Sequence, residues 1–112
     1  MMIRDLSGME EFFKAEQLQR DVWGAEDTED PADLMMVIQH EGGLVAGAFE
    51  GERLVGYIFG FPTREPHVQH SHRLAVHPDA RGKSLALRLK RYQREWCLAR
   101  GISLVRWTFD PL

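Results

Sequence analysis

HSHRLAVHPDARGKSLA, residues 70–86, is the stretch on which the reading of the chain turns. An extended apolar run passes through a polar turn into the first turn of a basic helix. Leu74, Ala75 and Val76 are apolar and compact enough for a buried strand, and His77-Pro78-Asp79 ends it because proline donates nothing to a ladder. The helix starts near Gly82. Between Lys83 and Arg100 there is neither glycine nor proline, and Leu85, Leu89, Tyr92 and Trp96 recur at the spacing of one buried helical face. Gly101 is the expected terminator.

A strand that feeds a glycine turn and a helix start also has a chemical meaning. The first backbone N–H groups of a helix lack intrahelical acceptors, and the macrodipole adds about half a positive charge there, so such an end attracts phosphate. Arg81 and Lys83 add full charges, and Arg81-Gly82-Lys83-Ser84-Leu85-Ala86 reads as a pyrophosphate cradle. It has neither the Walker arrangement of glycines before Lys and Ser/Thr nor GxGxxG. A nucleoside triphosphate or dinucleotide site is therefore disfavoured.

At this point the sequence resembles the GNAT acyltransferases, whose signature after a strand is Q/R-x-x-G-x-G/A. The matching positions are Arg81, Ser84 and Ala86, with Ser84 where the family usually has glycine. HSH-x-L-x-V-x-P, QREW-x-LA-x-G and WTFDPL further resemble an uncharacterised GNAT group of predicted acyltransferases. The resemblance covers nearly the whole chain, although GNAT domains usually continue for another helix and two strands. It implies an acyl-CoA co-substrate, acetyl-CoA by default, bound by Leu74, Ala75, Val76, Arg81, Gly82, Lys83, Ser84, Leu85 and Ala86. It also implies that the two central strands splay apart and that a backbone N–H of the first, assigned to Leu74, polarises the thioester carbonyl. The acceptor is then the amine of a small molecule or amino acid, attacking directly.

An attacking amine must lose a proton. His70 and His72 are the nearest candidate bases; their spacing of two places both on one face of a regular strand, and histidine titrates near neutral pH. Glu65, in the preceding loop, is a second candidate. The two histidines have no third or fourth ligand in view, so no metal is expected.

Composition limits the alternatives. The 112 residues, 44% hydrophobic, suffice for one core and are read as a single, partial GNAT domain spanning 1–112. No apolar run approaches the roughly 20 residues needed to cross a bilayer, and the N-terminus has no signal-peptide core; no membrane partner and a cytoplasmic location are expected. The single cysteine, Cys97, precludes an internal disulfide and reads as a packed, inert thiol. A net charge of −3 conceals an asymmetry: residues 1–80 hold fifteen of the seventeen acids, whereas residues 81–100 hold seven bases against Glu95. An acidic remainder disfavours nucleic acid as a partner. By the resemblance, the phosphates of CoA account for the basic cluster.

Outward from the central stretch, Met2 to Leu6 reads as a strand and Ser7-Gly8-Met9-Glu10 as a capping box. Met9, Phe12, Ala15, Leu18 and Val22 mark the buried side of a first helix, Phe13 and Trp23 extend the stripe, and Gly24 ends it. Asp30-Pro31 reads as cap and first residue of a second helix, stopped by Gly42-Gly43. By resemblance these helices form a wall of the acceptor pocket, where Trp23, Met35 and Met36 are weighed as contacts against core packing. Leu44 to Phe49 and Leu54 to Phe61 form a hairpin, with Gly47, Gly56 and Gly60 inside its strands. Thr63 to Gln69 reads as a polar loop, and Ile102 to Phe109 as a last strand with Val105, Trp107 and Phe109 on one side.

The expected fold is α/β of the α+β type, a GNAT-like mixed sheet in the order β-α-α-β-β-β-α-β with the C-terminal part of the fold missing. The last strand would present an open apolar edge near Ile102 to Phe109, so pairing with a second copy, as a homodimer, is expected. Two other functions are weighed: a shortened GNAT module that binds acyl-CoA or a partner chain without catalysis, and a basic-helix nucleic-acid binder.

Overall fold

The computed structural model describes residues 1–25, 29–82 and 84–108. Strand β1 (Met2–Asp5) is followed by α1 (Met9–Trp23), α2 (Ala32–His40), β2 (Leu44–Glu50), β3 (Arg53–Pro62) and β4 (Val68–Val76). A 3-10 turn (Pro78–Ala80) then leads to α3 (Leu85–Ala99) and β5 (Leu104–Arg106). The strands form one mixed sheet in the order β1-β2-β3-β4-β5, antiparallel through β4, with β5 parallel to β4. This is the expected element order.

Period-two alternation along the strands divides the core between two faces. Val45 and Phe49 of β2 and Tyr57 and Phe59 of β3 pack with Phe12, Ala15 and Leu18 of α1 and Met35 of α2. Ala46, Ala48, Val55 and Ile58 instead pack with Leu85, Leu89, Trp96 and Cys97 of α3. Both helical stripes read from the sequence thus pack in the core, except that Phe13 and Trp23 are exposed, and Met35 belongs to the core rather than to a ligand surface. Cys97 is buried, and burial pushes its thiol up, as expected of an inert side chain. Among the described residues no helix is long and apolar enough to cross a membrane.

Several boundaries differ from expectation for local physical reasons. The capping box is not formed: Gly8 is the N-cap, without a side-chain cap bond. Glu11, one position further on, instead accepts the Ser7 N–H at 2.8 Å while pairing with Arg4. Asp30 does not cap α2, because Pro31 takes the N-cap position and the Asp30 carboxylate turns toward β4. Strand β4 starts at Val68, inside the stretch read as a loop, and α3 starts at Leu85 rather than near Gly82. Strand β5 is three residues long rather than eight. Its pairing with β4 stops at His70↔Arg106, just before β4 bulges and turns away. Trp107 lies outside the strand and is exposed; Phe109 and Asp110-Pro111 lie outside the described residues.

Candidate functional site

The parallel pairing of β4 with β5 is confined to Val68↔Leu104, Gln69↔Val105 and His70↔Arg106. On its other side β4 pairs with β3 as far as Val76↔Gly56. The second half of β4 therefore has a strand on one side only among the described residues. In an antiparallel ladder the backbone groups of alternate residues point to opposite edges. The His77 N–H donates to the Val55 carbonyl at 2.8 Å, so Ala75, two residues back, also faces β3. Leu74 and Val76, which alternate with them along the strand, direct N–H and C=O to the open edge.

That edge runs into the start of α3. Leu74, Ala75, Val76, Arg81, Gly82, Ser84, Leu85 and Ala86 line a groove of about 560 Å³, closed on its far side by Val22 and Trp23 at the end of α1. The first helical bond joins the Arg88 N–H to the Ser84 carbonyl, and the Ser84 side chain makes no cap bond. The N–H groups of Leu85, Ala86 and Leu87 consequently have no intrahelical acceptor. Gly82 has φ +87°, and a Cβ added there would meet nothing within 4 Å. Lys83 lies outside the described residues.

Ser84 adopts φ 56° and ψ 27°, the one described non-glycine residue with positive φ. Left-handed backbone costs an L-residue about 1 kcal/mol or more. The turn ahead of α3 thus makes a glycine demand that serine meets with strain. The approach to it is held by an exposed cluster. Arg53 donates to Asp79 Oδ2 at 2.9 Å, the Asp79 N–H donates to His77 Nδ1 at 3.1 Å, and the Arg53 guanidinium holds the Asp79 carboxyl below its usual range.

The histidines lie on the α1/α2 face of β4, and neither is among the residues lining the groove. Arg73 pairs with Phe59 and Ser71 with Gly60, so His72 is the extra residue of a β-bulge. The bulge does not separate the two rings. His72 stacks on Phe61 at 4.7 Å between centroids and His70 at 6.0 Å. His72 also presents its face or edge to Phe59 at 5.6 Å, near-perpendicular to it. Glu65 sits before the opposite end of β4, exposed and 3.6 Å from Arg106, so the structure does not bring it to the groove.

A charged partner that the sequence reading missed meets His72. Asp30 approaches from the α1–α2 connection: His72 Nε2 lies 3.3 Å from its Oδ1 and 3.2 Å from its Oδ2, and Arg73 Nε lies 3.2 Å from Oδ2. The buried Gln19 clamps the Asp30 backbone, accepting its N–H at 2.7 Å and donating to its carbonyl at 3.1 Å. The same Gln19 Oε1 accepts from Arg73 Nη1 at 3.1 Å. Arg73 also lies over the Trp23 ring, 5.0 Å from its centroid. Beneath them the Tyr57 hydroxyl is buried without a hydrogen-bond partner among the described residues; burial, then the Asp30 charge, pushes its ionisation up. Acidic residues around position 30 stand in the sequence, but the long-range contacts of Asp30 were not legible there.

The basic residues of α3 do not converge on the groove. Arg81 lines it, whereas Arg88 and Arg91 line a separate depression with Tyr92, and Lys90 and Arg94 lie on a third beside Trp107. The phosphates of one ligand at the groove therefore leave most of that basic face as a solvated helix surface. Met36 is exposed on α2 and does not line the groove.

The fold has solved counterparts. An aminoglycoside 6'-N-acetyltransferase complexed with coenzyme A superposes with a TM-score of 0.77 at 21% identity over 90% of this chain, which spans 57% of that protein. An aminoglycoside acetyltransferase from an uncultured soil metagenomic sample, in complex with sisomicin, gives 0.83 at 14% identity over 97% of this chain and 77% of its own. A ribosomal-protein-alanine N-acetyltransferase from Brucella melitensis biovar Abortus 2308 gives 0.75 at 20% identity over 99% and 82%. No curated protein matches in sequence. The sequence profile of the acetyltransferase (GNAT) family, however, matches residues 9–111. The signature around Arg81, Ser84 and Ala86, the mixed sheet with its half-open fourth strand, and that match across most of the chain agree: this protein belongs to the GNAT acetyltransferase family.

Proposed function

We propose that the chain is one GNAT domain that transfers an acyl group, acetyl by default, from acyl-CoA to the amine of a small molecule or amino acid. The observation that carries this reading is the continuity of the open β4 edge with the uncapped start of α3 in one groove. Coenzyme A fits the residues present: free helix N–H groups and Arg81 suit its pyrophosphate, and the open space over Gly82 lets phosphate approach the backbone.

Bound acyl-CoA would supply an activated thioester, whose C–S bond breaks as the amine nitrogen bonds the acyl carbon and whose sulfur leaves as thiolate to take the proton the nitrogen sheds. The chain's part is positioning and electrostatics. Leu85 and Ala86 N–H groups and Arg81 hold the donor. The Leu74 N–H stabilises negative charge developing on the carbonyl oxygen, the kind of preorganised donor associated with about 10²- to 10³-fold in rate elsewhere. Val76 offers its outward backbone groups to the donor's amide chain. His72 or His70 receives the proton of the incoming ammonium, and no covalent enzyme intermediate is involved. No metal enters this scheme. A cytoplasmic location belongs to the same reading, as does pairing of two copies along β5, where Leu104 is half exposed.

Titration calorimetry with acetyl-CoA tests the donor site. Wild type binds saturably and a folded Arg81→Glu variant loses at least tenfold in affinity; equal affinities, or no binding by folded wild type, overturn the assignment. Thiol release on adding an amine panel then separates transfer from the second reading, binding without turnover. The Ser84 side chain, standing at the cradle where the family usually has glycine, favours that second reading.

A further inference from the structure

Two adjacent residues of a regular strand face opposite sides of the sheet. His72 and Arg73 do not, because the bulge at His72 turns both toward α1 and α2, where they meet one carboxylate. The backbone that carries this carboxylate is held in place as well. The buried Gln19 amide holds the Asp30 N–H and C=O together, as a neighbouring strand would, and its Oε1 also takes Arg73 Nη1. The His72 ring is confined by the stack on Phe61 and the perpendicular Phe59. What remains free in such a ring is the choice of which nitrogen carries the proton, and that choice follows from the partner of one of them.

We propose that Asp30 is a positioning residue: its carboxylate accepts the His72 Nε2–H and so leaves Nδ1 as the ring's proton acceptor. The further step, that Nδ1 takes the proton of the incoming amine, rests on the acyltransferase reading above. The charged and titratable groups around the ring are Asp30, with Arg73 and His70 on β4 itself and Tyr57 near Asp30 and Arg73. Arg73 shares the carboxylate through Nε, 3.2 Å from Oδ2, without competing for the imidazole hydrogen. Tyr57, held as a neutral phenol, adds no charge. His70 lacks a polar partner among the described residues, so neither of its tautomers is selected in this way.

Ring-nitrogen labelling followed by long-range proton–nitrogen spectroscopy reads the tautomer of neutral His72 directly, with the resonance assigned by its absence in His72→Asn. The wild-type ring is expected as the Nε2–H form, Asp30→Ala as a mixture of the two, and Asp30→Asn, whose amide carbonyl still accepts, as the wild-type form. A wild-type ring in the Nδ1–H form, or an Asp30→Ala ring indistinguishable from wild type, overturns the proposal. Because the Gln19 clamp uses only the backbone of residue 30, the substitutions leave it standing, and circular dichroism verifies that they do. In acetyl transfer, Asp30→Ala lowers kcat on the order of 10- to 100-fold with the KM for acetyl-CoA unchanged, and Asp30→Asn restores most of it. Failure of the underlying reading is separately visible: if His72→Asn transfers acetyl at the wild-type rate, His72 is not the base, whatever its tautomer.

Discussion

Ser84 shows what one residue contributes. Its left-handed backbone costs about 1 kcal/mol or more, while glycine at the same place would lose somewhat more unfolded-state entropy. Ser84→Gly is therefore expected to raise stability by about 0.5 kcal/mol, and Ser84→Val, branched at Cβ, to lower it by about 1 kcal/mol. Paired urea melts check both signs; a destabilised Ser84→Gly would mean that the serine side chain is holding the turn. The position was marked in the sequence by the family resemblance, which puts glycine there, whereas its left-handed backbone appeared only with the helix start at Leu85. Asp30 was not marked in this way. Followed by Pro31, it carries a strong local signal for a helix cap, and that signal lost to His72 and Arg73, more than forty residues away. Gln19 was hidden for the same reason: on an amphipathic helix it reads as surface, yet it is buried because it meets the polar backbone of residue 30.

At the scale of the element, the helices were legible because their apolar period repeats over several turns. Strand lengths were not, since they depend on what pairs alongside. Three glycines inside the hairpin illustrate this. Their tolerance for close approach was readable, but what approaches is protein: Leu54 and Leu6 at Gly47, Leu85 and Leu89 at Gly56, and Gln69 at Gly60. A Cβ at Gly60 would stand 2.5 Å from Gln69 Oε1. Gln69 has little freedom to withdraw, because it is buried and accepts from Gln93 Nε2 at 2.9 Å, which also donates to Ser71 Oγ. Gly60→Ala should consequently cost on the order of 1–3 kcal/mol, measured by chemical denaturation. A neutral result would show that the buried amide network between β4 and α3 repacks freely.

For the molecule as a whole, the first strand and the last helix are joined through Asp5, which accepts from Tyr92 Oη and from Trp96 Nε1. Burial first, and then this bond, push the Tyr92 phenol up from its ordinary 10 to about 12. The sign of the effect follows. A phenol that holds its proton more tightly when folded stabilises the protein fully below its unfolded value, and that contribution is lost as pH rises from about 10 through about 12. Thermal melts across this range are expected to show a falling Tm, with a shallower fall in Tyr92→Phe; identical slopes would place the phenol outside the linkage. Charge asymmetry was legible from sequence at this scale, but not its geometry, because a helix carries neighbouring residues of one sequence cluster to different sides.

The open half of β4 has a consequence for how such a protein can change over time. An amide N–H belongs to every residue except proline, so the groups that Leu74 and Val76 present at that edge survive almost any substitution of their side chains. Selection there acts on the course of the chain rather than on its letters. A surface built from backbone can persist while the side chains around it change.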